Sequence, residues 1–187
     1  PSHPNLIYFS QLNDPTYFGA LTYEQDGNEN TPITGFIRIS DALAALKSDS
    51  QQEPTVFMHT PQTTETDYNP KTYPYTSGLS GAGCVSQRGA INFLDDPVFI
   101  SKLGLQAIGK MNVGLERSIE HRSSLVDGKL CNESDLEHAS LRVWQGYLLL
   151  LINGRIYLAD SRQMTRNEIP KITEYEWYLW DNIGVYE

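Results

Sequence analysis

Tyr147-Leu-Leu-Leu-Leu-Ile-Asn153-Gly154-Arg-Ile-Tyr-Leu-Ala-Asp160 is an apolar strand pattern that runs through a tight turn straight into a second one. Pro97-Val-Phe-Ile-Ser101-Lys-Leu-Gly104-Leu-Gln-Ala-Ile108 is another such unit, and Gly35-Phe-Ile-Arg-Ile-Ser40-Asp41-Ala-Leu-Ala-Ala-Leu46 is a weaker third. One hairpin recurring at roughly 50–60 residues points to repeated small antiparallel sheets, the way propeller blades are built. A unit of that kind is a scaffold. It turns the functional question from what the chain catalyses to what it holds together.

Outward from these units the chain reads as short strands. Leu6-Ile-Tyr-Phe-Ser10 is the expected first strand, closed by the turn signal Asn13-Asp14-Pro15, and residues 24–32 form a polar loop. Ile33–Ile39 is a strand, with Phe36 and Arg38 assigned to opposite faces. Ser40–Lys47 is ambiguous: helix formers behind a plausible N-cap favour a helix, whereas the hairpin repeat asks for a strand at Leu43–Lys47. The repeat decides for strand, because propensity is a weak prior over so few residues. Thr55–His59 is a further strand. Residues 60–83 are rich in Thr, Tyr, Pro and Gly and read as an irregular excursion, of the kind that forms interfaces. Strands follow near 85–94, 97–101 and 104–109, and Ser134-Asp-Leu-Glu137 is a capping-box match for one helical turn. Strands resume at Ala139–Val143 and end at Tyr175-Glu-Trp-Tyr-Leu-Trp180. About eleven or twelve short strands with little helix make 1–187 a single all-β domain, with propeller-like antiparallel blades and about three blades' worth of strands.

The 187 residues suffice to bury a real core, and no apolar run approaches the ~20 residues of a membrane-spanning helix. The chain opens Pro1-Ser-His-Pro4 without a methionine, a basic leader or an apolar one; it reads as a piece of a larger protein or a processed chain, with no signal peptide. A formal net charge of −9 disfavours wrapping a nucleic-acid duplex, which needs a basic footprint. It suits a soluble surface or a conduit wall that repels polyanions. The two cysteines, Cys84 and Cys131, are expected as free thiols.

The chemical motifs are weak. Gly78-Leu-Ser-Gly-Ala-Gly83 has neither the Lys-Ser/Thr ending of a phosphate loop nor the second glycine of a nucleophile elbow, so it reads as a turn where backbones approach closely. Asp26, Asn28 and Asn30 alternate like a calcium loop, but Thr31 stands where glycine is needed and Ile37 where glutamate is. Asp95-Asp96 reads as a hairpin turn rather than a catalytic pair. His3, His59, His121 and His138 show no ligand spacing. No catalytic, cofactor-binding or metal-binding residue is assigned, and no cofactor is expected. An arginine cluster of the sialidase type would need Arg38, Arg142 or Arg155 to converge on Arg117 and Arg122.

Several segments resemble the β-propeller virion proteins of phage tails and necks, especially the nozzle or DNA-stabilisation proteins of short-tailed phages and their prophage relatives. The segments are Asn5–Ser10 with Asn13-Asp14-Pro15, Ile33-Thr-Gly-Phe36, Pro97–Ile108, Arg122-Ser-Ser-Leu-Val-Asp127, Gly146-Tyr-Leu-Leu-Leu150 and Tyr175–Trp180. The resemblance spans residues 5–183 and is poorest at 60–83. It implies a non-enzymatic structural component that acts through protein–protein contacts in a symmetric, homo-oligomeric ring. Its partners would be other tail or neck proteins, with no sequence-specific nucleic acid and no membrane. Its location would be the virion, assembled in the host bacterial cytoplasm. A closed propeller takes ~4–8 blades, so three blades imply a part of a larger propeller or another mode of closure.

Two other readings stand beside this one: a carbohydrate-binding or glycoside-processing propeller, with carboxylates drawn from Glu116, Glu120, Glu133 and Glu137, and a sensor or adaptor propeller without chemistry of its own. Tyr and Trp give large contact area with few rotors to freeze. The expected interface residues are therefore Tyr68, Tyr73 and Tyr75 of the excursion and Trp177 and Trp180 of the last strand. The last strand either meets a neighbour or closes the domain's own core.

Overall fold

The computed structural model describes residues 3–11, 13–28, 31–40, 42–50, 52–60, 74–110, 117–166 and 173–183. Among these, fourteen strands form a two-stranded ribbon and three four-stranded antiparallel sheets, each sheet a simple meander in chain order. The ribbon is β1 (Leu6–Gln11) with β2 (Asp14–Gln25). The first blade is β3 (Ile33–Ile39), β4 (Ala42–Lys47), β5 (Val56–His59) and β6 (Tyr75–Leu79). The second is β7 (Ala90–Phe93), β8 (Asp96–Ser101), β9 (Gly104–Lys110) and β10 (Arg117–His121). The third is β11 (Ser140–Trp144), β12 (Tyr147–Ile152), β13 (Arg155–Arg166) and β14 (Thr173–Trp180).

The blades stack face to face in sequence order because each has apolar residues on both faces. In the second blade, Phe99 and Ile108 alternate with Val98, Ile100 and Ala107. The first pair packs on Ile37, Ala44, Leu46, Val56 and Met58 of the first blade. The other three pack with Leu105 on Leu141, Leu148, Leu150 and Tyr157 of the third. A smaller cluster of Ile7, Ala45 and Phe57, flanked by Phe9 and Ile33, joins the ribbon to the first blade. The first strands of the blades, β3, β7 and β11, approach one another, so the sheets open like a fan from a common inner side. A parallel bridge from Arg88 to Ser140 ties two of these inner segments. Three blades do not close on themselves.

Ala42–Lys47 is a strand despite its helix formers, because five of its six side chains are buried within a sheet paired on both sides. The repeat is legible in the structure with one correction. Pro97–Ile108 and Tyr147–Asp160 are equivalent second-to-third-strand hairpins, but Gly35–Leu46 is a first-to-second-strand hairpin, one strand out of phase. Phe36 and Arg38 are two residues apart and share a face, the one opposite Ile37. The capping box at Ser134–Glu137 yields a 3-10 turn at Leu136–His138 with no side-chain cap bond. Among the described residues the one short α-helix lies earlier, at Asp127–Leu130, where Asp127 holds Ser123 Oγ (2.6 Å) and His121 Nε2 (2.6 Å).

Two-residue hairpin turns need positive φ at both central positions, which suits Asn153-Gly154 (φ 50° and 69°). Leu94-Asp95 takes the same path (φ 49° and 66°) with a leucine that is well exposed. Replacing Leu94-Asp95 by Asn-Gly should therefore stabilise the chain by about 0.5–1 kcal/mol. The expected reading is a higher urea midpoint with an unchanged slope; a lower midpoint would mean that the native turn side chains contribute contacts worth more than the strain.

Candidate assembly surfaces

Most of the exposed aromatic side chains sit at the two ends of the fan. At one end, β1 alternates: Ile7 and Phe9 face the first blade, so Tyr8 and Ser10 face away. Tyr23 is paired with Tyr8 and Phe18 with Ser10, which places both on the same outer side, with the Tyr8 and Tyr23 rings 5.8 Å apart. The register slips between these pairs, and the extra residues bulge from the strand, with Thr22 Oγ1 donating to Gly19 O (2.8 Å). Leu21 in that bulge is 86% exposed, and Tyr8, Tyr17, Phe18 and Tyr23 are each about half exposed.

A buried polar cluster pins this ribbon to the first blade. His59, fully buried, presents Nε2 to the Asp26 carboxylate (3.1 Å) and Nδ1 to Glu24 (3.5 Å). Glu24 also accepts from the Tyr75 backbone N–H (2.8 Å). Lys47, fully buried as well, donates to Asp26 O (2.8 Å) and to Glu53. Glu53 in turn accepts from the Asn28 backbone N–H (2.7 Å).

At the other end is the third blade. Leu141, Leu148, Leu150, Ile152, Tyr157, Trp177 and Leu179 face the second blade. The alternate residues therefore form the outer face: Leu149, Leu158 and Tyr178 in one cross-strand row, Leu151, Ile156 and Trp180 in the next, and Trp144 with Tyr147 beyond them. Ile156 and Leu158 in the middle are buried, whereas Trp144, Tyr178 and Trp180 are each more than two-fifths exposed.

The expected interface residues fall in different places. Trp180 lies on this outer face and is exposed. Trp177, its near neighbour, packs inward and donates from Nε1 to Arg122 O (3.0 Å). Tyr75 is on the edge strand of the first blade, exposed, with its ring 5.2 Å from Phe57. Tyr68 and Tyr73 lie outside the described residues. Sequence reasoning missed Tyr8, Phe18, Leu21, Tyr23 and Tyr178. The strand alternation in Leu6–Ser10 and Tyr175–Trp180 shows two faces, but not which of them lacks a neighbour.

The charged groups are absorbed into ties between elements. Arg122 donates from Nε to Asp96 (2.8 Å) and from Nη2 to Glu120 (2.9 Å). Asp96 also accepts from the Tyr175 hydroxyl, joining the second blade to the third. Burial opposes the Arg122 charge, but Asp96 and then Glu120 more than offset it, and its pKa is raised. This cluster borders a cavity of about 490 Å³ between the first two blades, also lined by Ser40, Asn92, Asp95 and Arg117. Glu133 accepts from Arg155 (2.7 Å), Tyr157 (2.7 Å) and Asn153 (3.1 Å). Burial would raise the Glu133 pKa, but these donors lower it on balance. Arg122 and Arg155 thus serve different carboxylates in different blades. Glu120 and Glu133 are each held by arginine, Glu137 lies on the separate 3-10 turn, and Glu116 is outside the described residues.

Gly83 sits against the backbone of Ser48 and Asp49, where a Cβ would collide, and its N–H meets Asp49 Oδ1 (2.7 Å). Cys84 and Cys131 are free thiols, both with raised pKa because of burial. Among the described residues no three metal-ligating side chains group together, and no helix is long and apolar enough to cross a membrane.

Tyr175 and Tyr157 give an alkaline signature. Burial, then Asp96 beside Tyr175 and Glu133 beside Tyr157, raise both phenol pKa values. A raised folded pKa contributes stability that is complete below the unfolded value, about 10, and is lost as pH rises through the folded one. Stability should therefore fall above about pH 10 as unfolded tyrosines ionise first. Urea titrations from pH 8 to 11 on the chain and on Tyr175→Phe measure it; an unchanged slope with pH in the variant would remove Tyr175 from the account.

No protein-family model matches this sequence, and a search of curated proteins finds no match.

Proposed function

We propose that this chain is a structural assembly module of a phage or prophage virion, placed in the tail or neck and acting through protein–protein contacts rather than catalysis. The carrying observation is that most of the exposed aromatic side chains gather at the two ends of the stack of blades, since exposed apolar patches of this kind mark interaction sites. The resemblance of the Pro97–Ile108, Arg122–Asp127 and Tyr175–Trp180 segments to tail and neck propellers directs the reading to virions. The polar groups support the same reading: Arg122, Asp96 and Glu120 pair with one another and Glu133 pairs with Arg155, so their charge is spent on ties within the chain. The net charge of −9 favours protein partners over nucleic acid.

The test is the composition of particles. After induction of a strain that carries the gene, particles purified on a density gradient should contain this chain in stoichiometric amount, and antibody against it should decorate the tail or neck in electron micrographs. Recovery of the chain only from the particle-free lysate would overturn the reading.

A further inference from the structure

We propose that the cavity between the first and second blades binds a sugar acid of the hexuronate class, with the Arg117 guanidinium receiving its carboxylate. The proposal goes beyond the assembly reading and does not depend on it.

The backbone places Arg117 at this cavity. It shares a face of β10 with Ile119, two residues on, and Ile119 packs on the apolar cluster that joins the second blade to the first. Arg117 therefore faces the first blade, at the rim where the β3–β4 and β7–β8 turns also lie. These segments enclose about 490 Å³, within the ~300–1,000 Å³ of ordinary small-molecule sites. Ile39 and Ile108, from the same cluster, supply an apolar patch, and Ser40, Asn92 and Asp95 supply polar groups.

The two arginines that line the cavity differ in what they hold. Arg122 is committed: Nε and Nη2 meet Asp96 and Glu120, and Nη1 donates to His121 O (3.2 Å). Arg117 takes no part in that clamp. Its Nη1 is buried and has no hydrogen-bond partner among the described residues. Nearly all buried polar groups are paired, and leaving a charged group unpaired costs more than leaving a neutral one. A guanidinium nitrogen in that condition, bordering a cavity, is a donor for an acceptor that enters it. The planar fork of its N–H groups matches a carboxylate.

The remaining lining decides what else the ligand carries. Three carboxylates, Asp95, Asp96 and Glu120, stand against two guanidinia, a net charge of −1. A dianion such as a phosphate monoester would meet twice the repulsion of a carboxylate there. Away from Arg117 the ligand should present donors, because carboxylate oxygens only accept. Hydroxyl groups supply them, and they also accept from Asn92 Nδ2, which spends one of its two hydrogens on Arg38 O (3.2 Å). A peptide would bring as many carbonyl acceptors as N–H donors and suits these walls less. One carboxylate on a ring of hydroxyls is a hexuronic acid.

The experiment is a titration of the isotopically labelled full chain with sodium glucuronate, followed by amide and arginine side-chain shifts in NMR spectra. Saturable shifts are expected at Ser40, Asn92, Gly109 and Arg117, with a Kd below about 1 mM. Glucose lacks the carboxylate and a glucose phosphate monoester carries the second charge, so each should bind at least about tenfold more weakly. Arg117→Gln should lose at least about tenfold in affinity, whereas Arg142→Ala, in the third blade, should bind as the parent does. Circular dichroism checks that Arg117→Gln is folded, and the comparison of ligands on the parent chain needs no variant. The methyl glycoside of glucuronate stands for the same unit within a polysaccharide. Equal or tighter binding of the glycoside assigns the site to a polysaccharide, and its exclusion assigns it to the free sugar acid; both support the proposal.

No saturable shift at about 10 mM glucuronate, tenfold above that Kd, would overturn it. So would shifts confined to other parts of the chain, or glucose or the phosphate monoester binding as well as glucuronate. Tighter binding of a short peptide through its C-terminal carboxylate would overturn it in favour of a protein tail. Particle composition is read separately, so a chain found in particles that binds no sugar acid loses this site alone.

Discussion

Replacing Arg122 by alanine should cost about 3 kcal/mol, the low end for breaking a buried ion pair. For a chain of this size that is a fall in Tm of about 10 °C. The side chain is 7% exposed and its charge is shared between Asp96 and Glu120, which lie at the rims of two different strands. Without the guanidinium, those carboxylates face each other and the Tyr175 hydroxyl in a confined space. Its backbone matters too, since the Arg122 carbonyl accepts the Trp177 indole and so docks β14. Arg122→Lys keeps the charge but not the fork that reaches both acids, and should fall between the parent and the alanine variant. Arg142→Ala, on the exposed outer face, should change stability by less than about 0.5 kcal/mol. Equal losses at Arg122 and Arg142 would remove the special role of the Arg122 clamp.

That clamp shows how far the sequence alone reaches. The strand at Tyr147–Ile152 and its turn were plain, because alternation, apolar content and Asn-Gly agree. Ala42–Lys47 was settled by the repeat against its own propensity. By contrast β10 (Arg117-Ser-Ile-Glu-His121) is not among the strands expected from the sequence, since Ile119 is its single apolar side chain. It is a strand because β9 pairs with it and because Arg122, Glu120 and His121 find partners there. The ribbon strand β2 was hidden for another reason. Asp14-Pro15 is a turn signal, and twelve residues that are nearly all exposed carry no burial pattern for periodicity to find. The assembly surfaces share this limit. Period-two spacing places Tyr178 and Trp180 on one face and Trp177 on the other, but which face is open depends on the order in which sheets stack, and that is a tertiary fact.

The second large effect concerns the joint that holds the ribbon. Lys47 is fully buried with its ammonium 5.4 Å from the centre of the Phe57 ring, bonded to Asp26 O and to Glu53. Glu53→Ala takes away the carboxylate of a buried ammonium and should destabilise the chain by about 3–5 kcal/mol. Lys47→Met alone should cost somewhat less, because Glu53 is 11% exposed and keeps the Asn28 N–H. The double variant Lys47→Met with Glu53→Ala should then be better than the sum of the two by about 1–3 kcal/mol, since an apolar side chain of similar length can lie on Phe57 without a charge to satisfy. The damage should also be local. The Asn5, Asp26 and Gly27 segment is bonded through Asp26 N–H to Asn5 O (3.0 Å) and Asn5 Nδ2 to Gly27 O (3.2 Å), and it lies beside the Lys47 contact. Amide exchange in β1 and β2 should accelerate in Glu53→Ala far more than in β12 and β13. Uniform acceleration across all three blades would instead make Lys47 a general core residue and leave the ribbon held by Ile7, Phe9 and the His59 contacts to Asp26 and Glu24.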